Sequence, residues 1–234
     1  MRREARSGLR AYRFETLPGG VDALVSTRVV DLPGDAERFF AAFGLPPAAW
    51  CEQVHGNGVA VATEPATYPG ADALVTDVCG LPLAIRHADC VPIVLYDPER
   101  HAVGVAHAGW RGTVARIASR TVAALRERYG SDPAALVCAL GPSIAPDDYE
   151  VGPEVIAAAR RAYGDAPVLR GANFDLWAAN ALDLASAGVR RIEVTGVPTG
   201  GSDFFSYRAD GPGTGRLATI AMLRADHPAR DSVV

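Results

Sequence analysis

The chain has 234 residues, 49% of them hydrophobic and 21% charged, enough for a buried core in one domain or two small ones. A formal net charge of −4 and a pI of about 5.7 exclude nucleic acid as an expected main partner. All 23 basic side chains are arginine, so lysine Schiff-base chemistry is excluded and any anion must be held by arginine, backbone N–H groups or a metal.

In chain order, the basic opening MRREARSGLRAYRFETLPGG lacks the apolar segment of a secretory signal, and residues 1–11 are expected to form a disordered tail. VDALVSTR (21–28) reads as a strand and DAERFFAAFG (35–44) as a short helix closed by Gly44. Strands follow at 51–56, 58–63, 71–77, 81–86 and 91–97. HAVGVAHA (101–108) is a strand with His101, Val103, Val105 and His107 on one face and only Ala and Gly on the other, which lets a second layer approach closely. A helix is predicted over 113–129, capped by Thr113 and ended by Gly130. ALVCALG (135–141) is a strand, 153–163 a helix with Pro153 in its first turn, 173–188 a helix with an Asn173 cap, and 190–196 a strand. GRLATIAMLRA (215–225) reads as a last helix or strand, with helix favoured. No apolar run approaches the length of a membrane span. Cys51, Cys79, Cys90 and Cys138 form no CxxC pair and are expected as free thiols in the cytoplasm.

Several strands precede the first long helix. The order predicts one α/β domain over 1–234, with mixed or antiparallel sheets layered with outer helices.

The chemistry-bearing residues cluster at strand ends. His55 closes QVHG, Cys90 opens the strand 91–97, and His107 precedes AGWRG. Two imidazoles and a thiolate suffice for a three-ligand zinc site with one open position. The spacing itself matches no local zinc motif, and by spacing alone a core thiol and two satisfied polar histidines are the favoured reading. GWRG opens a helix, where free N–H groups and Arg111 suit an anion; Arg111 reads equally as a surface arginine. Asp89 reads equally as an acid/base and as a turn former. Arg28 could hold phosphate or end its strand at the surface.

Six segments taken together resemble a known family: QVHG (53–56), HADCVPIVLYD (87–97), VAHAGWRGT (105–113), GPSIAPDDYEVG (141–152), FDLWAANALDL (174–184) and FFSYRADGPGTGR (204–216). They are similar to the laccase-domain family, also called polyphenol-oxidase-like or multicopper-oxidoreductase-like and described as purine nucleoside phosphorylases. The resemblance covers nearly the whole chain from about residue 12. It implies a fold similar to a toxin deamidase of the cysteine-hydrolase kind. It implies zinc held by His55, Cys90 and His107, with copper as an alternative or misloaded metal. It also implies phosphorolysis of adenosine, inosine, guanosine and methylthioadenosine, with deamination of adenosine. Asp89, Cys90 and Arg111 are then the candidate catalytic residues, and Arg28 and Arg111 the candidate substrate contacts. The partners are purine nucleosides and phosphate, with no nucleic acid and no membrane, and the chain is expected as a monomer or weak homo-oligomer. The family more often has threonine at the position of His87, and cysteines near Tyr149 and before Phe204 that this chain lacks.

Three other readings are carried. A copper polyphenol oxidase is disfavoured by the five histidines and the lack of any His-x-His pair. A cysteine hydrolase would use Cys90 as nucleophile and His107 as base. A non-catalytic binding module would not depend on either residue.

Overall fold

Inward-facing Leu9 and Ala11 set the second strand, and the first pairs along its edge. The computed structural model describes residues 1–32 and 34–226, so His227 lies outside the described residues. Strand β1 (Arg2–Arg6) pairs antiparallel with β2 (Leu9–Arg13) across a turn in which Ser7 and Gly8 both have positive φ. The disordered tail expected over residues 1–11 is therefore corrected to a hairpin. Its anchor is Leu9 and Ala11, which alternate inward and are each 1% exposed.

The chain continues through β3 (Val21–Ser26), α1 (Ala36–Phe43), β4 (Ala49–Cys51), β5 (Val59–Val61), β6 (Thr67–Tyr68) and β7 (Ala73–Thr76). Then come β8 (Leu83–His87), β9 (Val91–Asp97), β10 (Ala102–Ala108), α2 (Trp110–Val114), α3 (Ile117–Tyr129) and β11 (Val137–Leu140). After a 3-10 turn (Pro146–Asp148) follow α4 (Pro153–Tyr163), β12 (Leu169–Arg170), β13 (Asn173–Phe174) and α5 (Leu176–Ser186). The last elements are β14 (Arg191–Val194), α6 (Tyr207–Asp210) and β15 (Leu217–Leu223). None of the described helices is long and apolar enough to cross a membrane.

Two large mixed sheets result. One has the order β1-β2-β3-β15-β8-β4-β6 and the other β14-β11-β9-β10-β7-β5; β12 and β13 form a separate ribbon. Val25, Ile85 and Leu217 of the first sheet pack on Leu74, Val94 and Val105 of the second. The far face of the second sheet, through Ile93, Leu95, Ala106 and Ala108, packs on Ile117, Val122 and Leu125 of α3 and on Leu184 of α5. The far face of the first meets Phe39, Phe40 and Phe43 of α1. The molecule is a single-domain α/β fold in four layers, helix–sheet–sheet–helix. The small face of β10 looks toward α3 as predicted: a Cβ on Gly104 would stand 3.1 Å from Thr121 Cγ2.

Four predicted elements change; the first is the strand expected over 51–56, which ends at Cys51, with 52–56 forming a loop. Residues 217–223 are a strand, not a helix, lying between β3 and β8. Leu217, Ala221 and Leu223 face one core layer and Ala218 and Ile220 another; a strand buried on both faces reads as a continuous apolar run. The helix over 113–129 is broken at Arg116, which has φ 63°, and Thr113 is buried inside α2 rather than capping. The break is held by Arg116, which donates to Asp183 at 3.1 Å and lies 4.0 Å over the Tyr163 ring. The cap of α5 is Asp175, accepting from Ala178 N at 2.8 Å, while Asn173 belongs to β13.

Candidate active site

The strand registers gather the site. β9 and β10 pair antiparallel with His107 opposite Pro92, so the start of β9 and the end of β10 coincide. β10 pairs antiparallel with β7, and β7 parallel with β5, which brings the segments before β7 and β5 to that same edge. His55, Asp72, Cys90 and His107 thus meet at one end of the second sheet.

The QVHG segment leaves the sheet after Cys51 and turns tightly, with Gln53 and His55 at φ 64° and 58°. Non-glycine residues adopt this conformation only when surroundings hold them. The holder is Asp72, which is fully buried. Its Oδ2 accepts from Val54 N at 3.1 Å and Gly56 N at 2.7 Å, and its Oδ1 from His55 N at 3.0 Å. Oδ1 also accepts from His107 Nδ1 at 3.0 Å, which leaves Nε2 as the ring nitrogen that serves Cys90. One carboxylate therefore shapes the turn that carries His55 and orients the ring of His107. Burial opposes its charge, but His107 and the backbone N–H groups outweigh burial and hold its carboxyl below the usual range.

The donor atoms of His55, Cys90 and His107 lie within 4.8 Å of one another. The His55 and His107 rings are 5.0 Å apart, edge to face. Gly109 makes the close approach possible: a Cβ there would stand 2.8 Å from Cys90 Sγ and 3.4 Å from His55 Cδ2. Burial opposes ionisation of Cys90, yet the charge of His107 and hydrogen bonds from both histidines bring the thiol down to about 6. Burial likewise opposes the imidazolium of His107, yet Cys90 and Asp72 hold it up at about 9. The protein's own groups thus form a thiolate–imidazolium pair backed by a carboxylate. Two imidazoles and a thiolate, one imidazole oriented by a carboxylate, also form a donor set that could hold a transition-metal ion.

These residues line a cavity of about 670 Å³, a volume suited to a small molecule. Arg86, Arg208 and Arg216 also line it, but each donates to backbone carbonyls. Arg111 is exposed on the cavity wall, 4.4 Å over the Trp110 ring, and its guanidinium has no hydrogen-bond acceptor among the described residues. Asp89 lines the cavity with φ 87°; its oxygens accept from Thr199 Oγ1 at 2.6 Å and Arg208 N at 2.7 Å. His87 is buried beside the cavity, with Nε2 2.9 Å from Thr219 Oγ1. Burial, and then the charge of His107, push its pKa down to about 3, so it is neutral.

Arg28 is not among the cavity-lining residues. It donates to Gly201 O at 2.6 Å and pairs with Asp210 at 3.5 Å. The helix expected to start at Thr113 starts at Trp110 and runs five residues. Sequence reasoning missed Asp72, Tyr149 and Arg208. An aspartate opening the apolar run ADALVT was the available signal for the first.

Residues 29–224 match the family described as multi-copper polyphenol oxidoreductase laccase. A purine nucleoside phosphorylase from Deinococcus radiodurans is 42% identical over 92% of this chain and 90% of that protein. Adenosine deaminase RL5, from an unknown prokaryotic organism, is 39% identical over 66% of this chain and 63% of its own length. The crystal structure of YlmD from Geobacillus stearothermophilus superposes with a TM-score of 0.82 at 30% identity, covering 88% of this chain and 93% of that one.

Proposed function

The chain belongs to the multi-copper polyphenol oxidoreductase laccase family, and on that premise we propose that it is a zinc-dependent purine nucleoside phosphorylase with adenosine deaminase activity. The observation that carries the reading is the His55–Cys90–His107 cluster on the wall of a nucleoside-sized cavity that also holds an uncommitted arginine. His55, Cys90 and His107 would hold the ion. When bound, zinc supplies a Lewis acid with an open fourth position. Asp72 fixes the tautomer of His107 and the turn of His55. Arg111 binds the phosphate, since it is the cavity arginine free to donate. Asp89 is the proton-transfer group, held in place by Thr199 and Arg208. Arg28 supports the substrate wall at one remove, by bracing Asp210 at the end of α6. The substrates are adenosine, inosine, guanosine and methylthioadenosine. The whole chain, 1–234, acts as one domain, monomeric or weakly self-associating; its free cysteines suit the reducing cytoplasm.

Copper oxidation of phenols is the weaker reading. Of the four described histidines, His87 is engaged with Thr219, and His101 with Tyr96 and Arg224, leaving two at the cluster. That suits one metal ion, not several. A Cys–His hydrolase is favoured by one observation, the thiolate–imidazolium pair with its buried carboxylate.

The test is metal analysis of the purified protein, followed by adenosine with and without phosphate and chromatography of the products. Adenine should appear only with phosphate, and inosine in both. Zinc-loaded protein that yields neither product, nor hypoxanthine, would overturn the proposal. Full activity in metal-free protein, lost on alkylation of Cys90, would favour the hydrolase.

A further inference from the structure

Tyr149 is the cavity residue whose construction the site described so far leaves unused. It follows the 3-10 turn and lines the cavity with Cys90, Asp89 and Arg111. Its backbone is tied on both sides: Tyr149 N donates to Pro146 O at 3.3 Å, and Tyr149 O accepts from Phe174 N at 3.0 Å. Arg208 clamps it further. That guanidinium lies 5.3 Å over the Tyr149 ring and donates to the carbonyls on either side, Asp148 O at 3.1 Å and Glu150 O at 2.9 Å. Arg208 N is in turn held by Asp89 at 2.7 Å. Yet the hydroxyl has no hydrogen-bond partner among the described residues. Tyr207, the other cavity tyrosine, stands at the mouth and is 51% exposed; Tyr149 is the more enclosed. A ring so firmly positioned, with its polar end free beside the reacting cluster, is built to meet a ligand.

We propose that the Tyr149 hydroxyl is a catalytic hydrogen-bond donor to the purine base as it leaves. The inference rests on the phosphorylase reading above and deepens it. In phosphorolysis the bond between ribose C1′ and purine N9 breaks, and its electron pair stays with the purine. A phosphate oxygen bonds to C1′, and the proton of hydrogen phosphate ends on the base. Tyr149 keeps its own proton throughout and stabilises the negative charge that builds on the ring. It is suited to this: burial first, then the charges of Cys90 and Asp89, hold the phenol up at about 12, so it stays protonated.

The test is Tyr149→Phe, which keeps the ring and its contact with Arg208 and removes no hydrogen bond within the protein. Its melting temperature and metal content should match the wild type. Two substrates separate the roles: adenosine, and 6-chloropurine riboside, whose electron-poor base leaves with less help. On adenosine kcat should fall on the order of a hundredfold with KM within about threefold, the scale of losing one such donor. On 6-chloropurine riboside the loss should be tenfold or less. Equal losses on both substrates, or no loss on adenosine, would overturn the donor role while leaving the phosphorylase reading intact. A metal-loaded wild type that cleaves neither substrate with phosphate overturns that reading, and this one with it.

Discussion

Replacing Asp72 with asparagine tests whether one buried carboxylate organises the site. The side chain keeps its shape but presents an NH₂ group where one oxygen now accepts. Two N–H groups converge on each oxygen of Asp72: Val54 and Gly56 on Oδ2, His55 and His107 on Oδ1. Whichever way the amide is turned, two of these four donors meet another donor, and the other two lose a charged acceptor. At about 1.5–3 kcal/mol for each hydrogen bond to a charged group, losing two costs about 3–6 kcal/mol. That lowers the melting temperature by roughly 6–24 °C for a chain of this size. The sign with pH follows from the lowered carboxyl. Its contribution is fully present above the ordinary aspartate value of about 3.9 and is lost as pH falls through the folded value, so the gap between wild type and variant should close in acid. Metal affinity should fall about 10–100-fold, because His107 and the His55 turn lose their orienting group. Urea melts at pH 7 and pH 3.5, with chelator competition, measure both effects. A variant as stable as wild type at pH 7, with zinc affinity within twofold, would refute the reasoning.

Gly109→Ala places a methyl group 2.8 Å from Cys90 Sγ, so bound metal should drop well below one ion per chain while stability falls by about 1–3 kcal/mol; elemental analysis and thermal melts check this. In metal-free protein Cys90 should be alkylated fastest of the four cysteines at pH 7, slowing as pH drops below about 6, where its thiolate is lost. Burial pushes the Cys51 and Cys138 thiols up, so both should stay unmodified, and zinc should protect Cys90; peptide mass mapping reads all of these. Arg111→Ala should raise the KM for phosphate at least tenfold and leave the melting temperature within about 1 °C, since the exposed guanidinium donates no hydrogen bond within the protein. An unchanged KM would remove Arg111 from the phosphate site.

The elements written in local pattern were read with their bounds. The strand over 91–97 and the helix over 153–163 match residue for residue, the first by an unbroken apolar run between turns and the second by Pro153 in its first turn. The errors fell where distant contacts decide. LATIAML could be helix or strand until it was placed between β3 and β8. The break at Arg116 depends on Asp183, which lies 67 residues away. Leu9 and Ala11 look too few to order a basic tail until they join the core under α1.

By itself, the sequence determined the kinds of donor available and their positions at strand ends: two imidazoles, a thiol, and arginine as the sole basic side chain. It also determined the layered α/β class, through strands succeeding one another before long helices. Tertiary structure decided what converges. Asp72 reaches His55 and His107 only because β7 pairs with β5 and β10 in one register. Tyr149 is held at the cavity by Phe174 and Arg208, both distant in the chain, and Arg28 pairs with Asp210. Local patterns report backbone preference and solvent-facing period. Register across a sheet is set by side chains far apart in the chain, and the geometry of this site is a matter of register.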